Sequence, residues 1–357
     1  MKLILRILLY VLVALLLTYC GEKSDGAEIV DNPYNTDVKE IQLTLLRSVP
    51  LQLEEDNFRS WILADDKMYL CNTMQHKITI LDLYGNIVKV LDSAGEGPGE
   101  FSLPGTIFHD KRNSRIEVFD VGNRRYSYFT YSGYFIEATP PDVEIATLTF
   151  NRCNFGEFVV EYCTEMYPQN GKMNQIFRLQ IIKPDTTLVL YEVEGEDFRK
   201  IQHEFPEFSC DDRYVYVAPF STDKYTIEVF DTNGKKVKIV HKKYTKRKIS
   251  HEEIARTKER LKGQKGYDIP RYHTAIEDIL TDEKGHLWVG TYDKKGNLYY
   301  DILNQKGKII GRYRPPTHTD LQIYSLMRLY QNKLIEATIN PDEPFIKMNI
   351  YKVDINE

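Results

Sequence analysis

The chain has 357 residues, 28% of them charged, and a formal net charge of −5 that already includes Lys2 and Arg6 near its start. That acidic balance, with no basic groove interleaved with aromatics, argues against a nucleic-acid binder. The 25 Tyr and 16 Phe suit β-strands, and the length is ordinary for one closed all-β domain.

Residues 1–20 read MKLILRILLYVLVALLLTYC, with Lys2 and Arg6 ahead of an apolar core at Ile7–Leu17 that is short for a membrane span. The run Leu17-Thr18-Tyr19-Cys20, followed by the polar stretch GEKSDGAEIVDNPYN, resembles a bacterial lipoprotein signal, with Tyr19 where a small residue is usual. The resemblance implies that Cys20 becomes a lipidated first residue, that the partner there is the lipid bilayer, and that the protein sits in the bacterial cell envelope at the outer membrane. A retained N-terminal anchor is the alternative. Residues 21–36 read as a flexible tether and 37–357 as the folded domain.

From residue 41 the sequence is a repeated paragraph. Ile41–Leu53 is a β-prone stretch with no hairpin partner of its own. Beyond it an alternating strand recurs six times, as KMYLCN from Lys67, RIEVFD from Arg115, EFVVEYC from Glu157, RYVYVAP from Arg213, HLWVGTY from His286 and KLIEATI from Lys333. Each is followed by a second strand, most of them ending in a polar turn. Repeats of roughly 50 residues with several short strands each predict a six-bladed β-propeller with four-stranded antiparallel blades. The last repeat is one strand short, so Ile41–Leu53 is expected to complete the sixth blade and remove two open edges.

Between the fourth and fifth blades the period stretches by an insertion at about 246–266. It follows the basic residues Lys242 and Lys243 and includes Lys246, Arg247 and Lys248. Ser250 and Glu253 form a capping box that opens a helix, Ile254 and Leu261 share one face, and Gly263 offers a stop. This helix reads as a lid or docking surface, or else as a solvated decoration. The loop Gly95-Glu96-Gly97-Pro98-Gly99-Glu100-Phe101 is a constrained connection between the first two blades. Its glutamates repel phosphate and no helix follows it, so it does not read as a phosphate cradle.

The lipoprotein leader, the GEGPGEF loop and the run Asp120-Val-Gly-Asn123-Arg-Arg125-Tyr126 together resemble the six-bladed β-propeller lipoproteins of Bacteroidetes. The D-x-x-N-x-R element is similar to the repeat motif of NHL propellers. It is degraded elsewhere, with Asn72, Gln75 and Lys77 in its place in the first blade, so these residues read as turn supports. The resemblance implies an exported module that binds a ligand or an envelope partner.

Propeller ligands usually sit at a mouth of the central channel, so the loops that lead into the inner strands are the place to look. They carry Arg59, His203 with Glu204, and the group Arg271-Tyr272-His273. Guanidinium groups bind carboxylates and aromatics stack on sugar faces, which suits an anionic or sugar ligand there. The expected function is therefore non-catalytic binding of a small carbohydrate, a peptide or an envelope protein by a monomeric propeller, with Arg59, His203, Arg271, Tyr272 and His273 in the site and no resident cofactor. The alternative is a metal-dependent hydrolase or lyase in which His203, His273 and Glu204 hold a divalent cation in the channel. No H-E-x-x-H or G-x-S-x-G motif is present. Cys71, Cys153, Cys163 and Cys210 match no disulfide framework or zinc spacing and read as buried free thiols, Cys153 and Cys163 being out of register in a simple hairpin.

Overall fold

A computed structural model describes residues 26–33, 38–51, 58–140, 147–169, 172–195, 205–260, 271–293, 296–316, 324–339 and 346–355. Cys20, His203 and Glu204, with most of the segment read as a leader and tether, lie outside these residues.

Three strands precede the first blade: β1 (Glu28–Asn32), β2 (Lys39–Glu40) and β3 (Thr44–Leu51). Blade 1 is β4 (Phe58–Ala64), β5 (Lys67–Asn72), β6 (Lys77–Asp82) and β7 (Ile87–Leu91). Blade 2 is β8 (Pro104–Asp110), β9 (Arg115–Asp120), β10 (Arg125–Phe129) and β11 (Phe135–Thr139). Blade 3 has longer strands, β12 (Thr147–Phe155), β13 (Phe158–Gln169), β14 (Lys172–Ile182) and β15 (Thr187–Gly195). Blade 4 is β16 (Glu207–Cys210), β17 (Val215–Ala218), β18 (Tyr225–Phe230) and β19 (Lys236–Lys242). The inserted helix α1 (His251–Arg260) follows. Blade 5 is β20 (Asp278–Thr281), β21 (Leu287–Tyr292), β22 (Leu298–Leu303) and β23 (Ile309–Tyr313), and blade 6 holds β24 (Tyr324–Tyr330), β25 (Lys333–Ile339) and β26 (Ile346–Lys352). The six antiparallel sheets form the expected propeller.

The ring closes as the sequence predicts. β3 pairs antiparallel with β26, setting Leu51 opposite Ile346 and Val49 opposite Met348, and Ser48 Oγ donates to Asn349 Oδ1 at 2.8 Å. Leu51 and Met348 are fully buried, so closure is a packing event as well as a ladder of backbone bonds. The segment ahead of β3 departs from expectation. Glu28–Asn32, inside the stretch read as tether, is a strand that runs parallel to β19, and Lys39–Glu40 runs parallel to β23. Each adds a fifth, outermost strand, and Val30 and Ile41 bury their side chains against blades 4 and 5. The N-terminal segment is thus a strap that covers two sheet edges before it closes the third.

Turns at the ends of several blades share one device. Asp82 accepts the amides of Tyr84 and Asn86, Asp231 those of Asn233 and Lys235, and Asn304 those of Lys306 and Lys308. The glycine three residues on takes positive φ in each, +84° at Gly85, +72° at Gly234 and +77° at Gly307.

Apolar clusters fill five of the six seams between blades. Polar contacts cross the seam between blades 2 and 3: Arg152 pairs with Glu117 across it and with Glu161 at 3.1 Å, and Asn154 Nδ2 donates to His109 O at 2.9 Å. The expectation of four free thiols is corrected for one pair. Cys153, on the inner strand of blade 3, is bonded to Cys210, on that of blade 4, and among the described residues Cys71 and Cys163 are free, both buried. Cys153 and Cys163 do not face each other; Cys163 lies opposite Thr149.

Candidate functional site: an aromatic and carboxyl-lined channel mouth

The insertion leaves blade 4 and returns to blade 5 as a two-stranded ribbon. Ile249 N donates to Arg271 O at 3.1 Å, His273 N donates to Arg247 O at 3.0 Å, and Lys248 bridges to Tyr272. Helix α1 sits at the far end of this ribbon. Its capping box forms as predicted, Glu253 N donating to Ser250 Oγ at 3.1 Å and Ser250 N to Glu253 Oε2 at 2.8 Å. The same carboxylate reaches back to the ribbon, accepting from Arg247 Nη2 at 3.0 Å and lying 3.2 Å from His273 Nε2. Burial opposes ionisation of Glu253, but the Ser250 hydrogen bonds and the Arg247 charge hold its carboxyl below the usual range. Burial, followed by the charge of Arg247, holds His273 below the ordinary histidine range.

Where this ribbon meets the inner strands lies a cavity of about 490 Å3. One wall is the approach to blade 4, Phe205 to Phe208; the other runs from Tyr272 to Glu277 on the approach to blade 5, with Tyr162 and Phe220 completing the lining. Glu207 and Asp278 open the inner strands β16 and β20, with Glu277 beside them. The mass of protein around the channel pushes Glu207 up to about 8, and the neighbouring Asp278 and Glu277 push the same way. Its side chain nevertheless stays exposed to water. Burial also raises Glu277, against a hydrogen bond donated by Thr274 Oγ1 at 2.8 Å, and raises Asp278, against the Arg328 charge and a bond from the Tyr300 hydroxyl at 3.2 Å. Glu207 therefore holds its proton more tightly than an ordinary glutamate.

Of the residues singled out from sequence, Tyr272 and His273 line this cavity. Arg271 is exposed outside it, its carbonyl taken up by the ribbon. Arg59 lies at a bulge in β4 between Phe58 and Ser60, and its side chain is outside the described part of the structure, as is all of His203. Among the described residues no group of three His, Cys, Asp or Glu side chains is placed to hold a metal ion. Sequence reading missed Glu207, Glu277 and Asp278. The available signal was an acid at the first position of a short inner strand (E-F-S-C and D-I-L-T), but one acid pair cannot be chosen among 52 acidic residues without the fold.

The D-x-x-N-x-R element is structural. Asp120, fully buried, accepts from Ser102 N at 2.9 Å and Leu103 N at 2.8 Å, Asn123 Nδ2 donates to Gly95 O, and Arg125 donates to the carbonyls of Glu96, Gly97 and Glu100. Together they lock the GEGPGEF loop between blades 1 and 2.

A model of the DUF5128 family, described as 6-bladed beta-propeller, matches residues 23–335, and the chain belongs to that family. Two solved structures share its fold. A Bacteroides fragilis protein described as exported is 12% identical with a TM-score of 0.52, over 92% of this chain and 100% of that one. A member of the DUF4221 family from Bacteroides vulgatus is 12% identical with a TM-score of 0.53, over 90% and 100%. No curated protein matches the sequence. Among the described residues no helix is long and apolar enough to cross a membrane.

Proposed function

We propose that this protein is an exported, lipid-anchored propeller that binds a neutral carbohydrate at the channel mouth without transforming it. The observation that carries the binding reading is one cavity lined both by aromatic rings, Tyr162, Phe205, Phe220 and Tyr272, and by the carboxyl groups of Glu207 and Glu277, whose hold on a proton is raised by burial. Pyranose rings offer apolar faces to aromatics and hydroxyls to groups that both donate and accept. The acids in the lining, Glu207 and Glu277, supply no positive charge for the anionic ligand that Arg59 and Arg271 suggested from sequence, and favour the sugar. Export is supported by the leader, by the Cys153–Cys210 disulfide, which suits an oxidising compartment, and by the exported description of the Bacteroides fragilis neighbour.

The test is a glycan array probed with the soluble form beginning after Cys20, repeated with Tyr272→Ala and Phe220→Ala. Retention of neutral oligosaccharides that both variants lose is the expected result. Selective capture of peptides, or glycan binding that neither substitution weakens, would sink the reading. Fractionation of cells carrying Cys20→Ser checks the anchor, with release from the membrane expected.

A further inference from the structure

A second and larger recess, of about 950 Å3, lies on the other side of the same ribbon, between the insertion and the outer parts of blades 4 and 5. Its chemistry is the reverse of the mouth cavity. Lys243 leads into the insertion and Lys246 and Lys248 lie in it; all three are exposed, with no carboxylate of the described residues in ion-pair reach. Arg247, Arg312 and Arg314 complete the basic wall. Arg247 spends Nη2 on Glu253, yet its Nη1 is buried without a hydrogen-bond partner. Arg312 gives Nη2 to Asp301 at 3.2 Å and its Nε is likewise unpartnered. Buried donors left unpaired are unfavourable, and an incoming acceptor would satisfy them. The two carboxylates on the wall are already engaged, Glu253 by Arg247 and Asp293 by Arg314 at 3.1 Å. Between the cations lie tyrosine rings: Arg247 stands 4.7 Å above Tyr292 and Arg312 stands 4.4 Å above Tyr299.

We propose that this recess is a second binding site, for an acidic polysaccharide segment carrying carboxylate or sulfate groups. The recess, about 950 Å3, is far larger than one phosphate, and its cations come both from residues 243–248 and from Arg312 and Arg314, which fits a chain with repeated charges better than a single phosphate. Guanidinium forks match carboxylate and sulfate geometry, and the Tyr292 and Tyr299 rings beneath Arg247 and Arg312 hold those forks in place. A bilayer presents a flat array of headgroups, which a concave cleft engages poorly. The site does not depend on the mouth cavity being a sugar site, because it shares only the ribbon with it.

The chain as a whole is acidic, with a net charge of −5, so general electrostatics oppose its association with a polyanion and any such binding reports a local site. The soluble form is run through native gels containing polygalacturonate, chondroitin sulfate or neutral dextran at pH 7.5, then titrated with a galacturonate oligomer. Retardation by one or both polyanions and not by dextran is expected, the two arms deciding between carboxylate and sulfate. The Lys243→Glu/Lys246→Glu/Lys248→Glu variant should bind roughly tenfold or more weakly with an unchanged melting temperature, since these lysines are exposed and carry no ion pair. The Lys243→Glu/Lys248→Glu variant, which leaves Lys246 on the Tyr272 ring, should show an intermediate loss. The proposal is overturned by no retardation in either polyanion gel, by retardation the triple variant keeps in full, or by capture on phosphatidylserine vesicles or inorganic phosphate in place of the glycans.

Discussion

Cys153 on the inner strand of blade 3 is covalently joined to Cys210 on the inner strand of blade 4, 57 residues later, with their Cα atoms 6.3 Å apart. The two strands are neighbours around the channel, so the bond staples one seam of the ring at its innermost radius. In the chain-entropy view, closing a loop of this length restrains the unfolded chain by roughly 4 kcal/mol. The soluble form beginning after Cys20 should therefore show two thiols when denatured without reductant, Cys71 and Cys163, and four after reduction. Cys153→Ser/Cys210→Ser should lower the melting temperature, whereas Cys71→Ser should leave the response to reductant intact. Four thiols before reduction would contradict the staple.

Glu207 gives the fold a pH dependence of definite sign. Its folded-state value, pushed up to about 8, lies above the ordinary 4.5 of a glutamate. The native protein thus holds a proton that the unfolded chain releases between those two values, and stability falls as pH rises through that window. Water in the lumen screens the effect, so its size is modest. Glu207→Gln should flatten the decline in melting temperature between pH 5 and pH 8 and leave stability near pH 4 unchanged. An equally steep decline in the variant would move the effect to another group.

Lys242 and Asp301 form a buried ion pair that joins the outermost strand of blade 4's own four to the third strand of blade 5. Lys242 also donates to the Tyr299 hydroxyl at 3.0 Å, and Asp301 also accepts from Arg312. Asp301→Ala strands two cations, while Lys242→Ala leaves Asp301 with Arg312. The first should cost about 3–5 kcal/mol in denaturant unfolding and the second clearly less. A reversed order would show that Arg312 does not compensate.

Asp120 tests the assignment of the D-x-x-N-x-R element to structure. Asp120→Ala leaves the Ser102 and Leu103 amides without their acceptor and should cost roughly 2–4 kcal/mol. Asp120→Asn keeps one acceptor oxygen and should cost less. Neither should alter ligand capture at the channel mouth once the protein is folded. Loss of binding by a folded Asp120→Asn protein would place the loop in the functional site.

The architecture was legible because a propeller is a local pattern repeated. Alternation of side chains, the polar turns with glycine three residues beyond Asp82, Asp231 and Asn304, and the missing strand of the last repeat are all read along the chain. The capping box at Ser250 and Glu253 is equally local and formed as expected. What depended on the tertiary structure was everything set by neighbours in the ring. Cys153 and Cys210 are one blade apart, and only the adjacency of inner strands makes that separation a contact. β1 looks like tether because its partner, β19, is already paired with β18 and accepts a parallel strand from outside, as β23 accepts β2.

The site divides along the same line. Tyr272 and His273 could be picked out because they crowd into the approach to an inner strand. Glu207, Glu277 and Asp278 gain their chemistry from convergence on the channel, which raises their affinity for protons and which no single stretch of sequence displays. By itself, the sequence determined a six-fold repeat, its closure and its inserted helix, because each rests on periodicity or on hydrogen bonds between near neighbours. Only the tertiary structure decided which side chains share a cavity and which charges lose their water, because both depend on distances between blades.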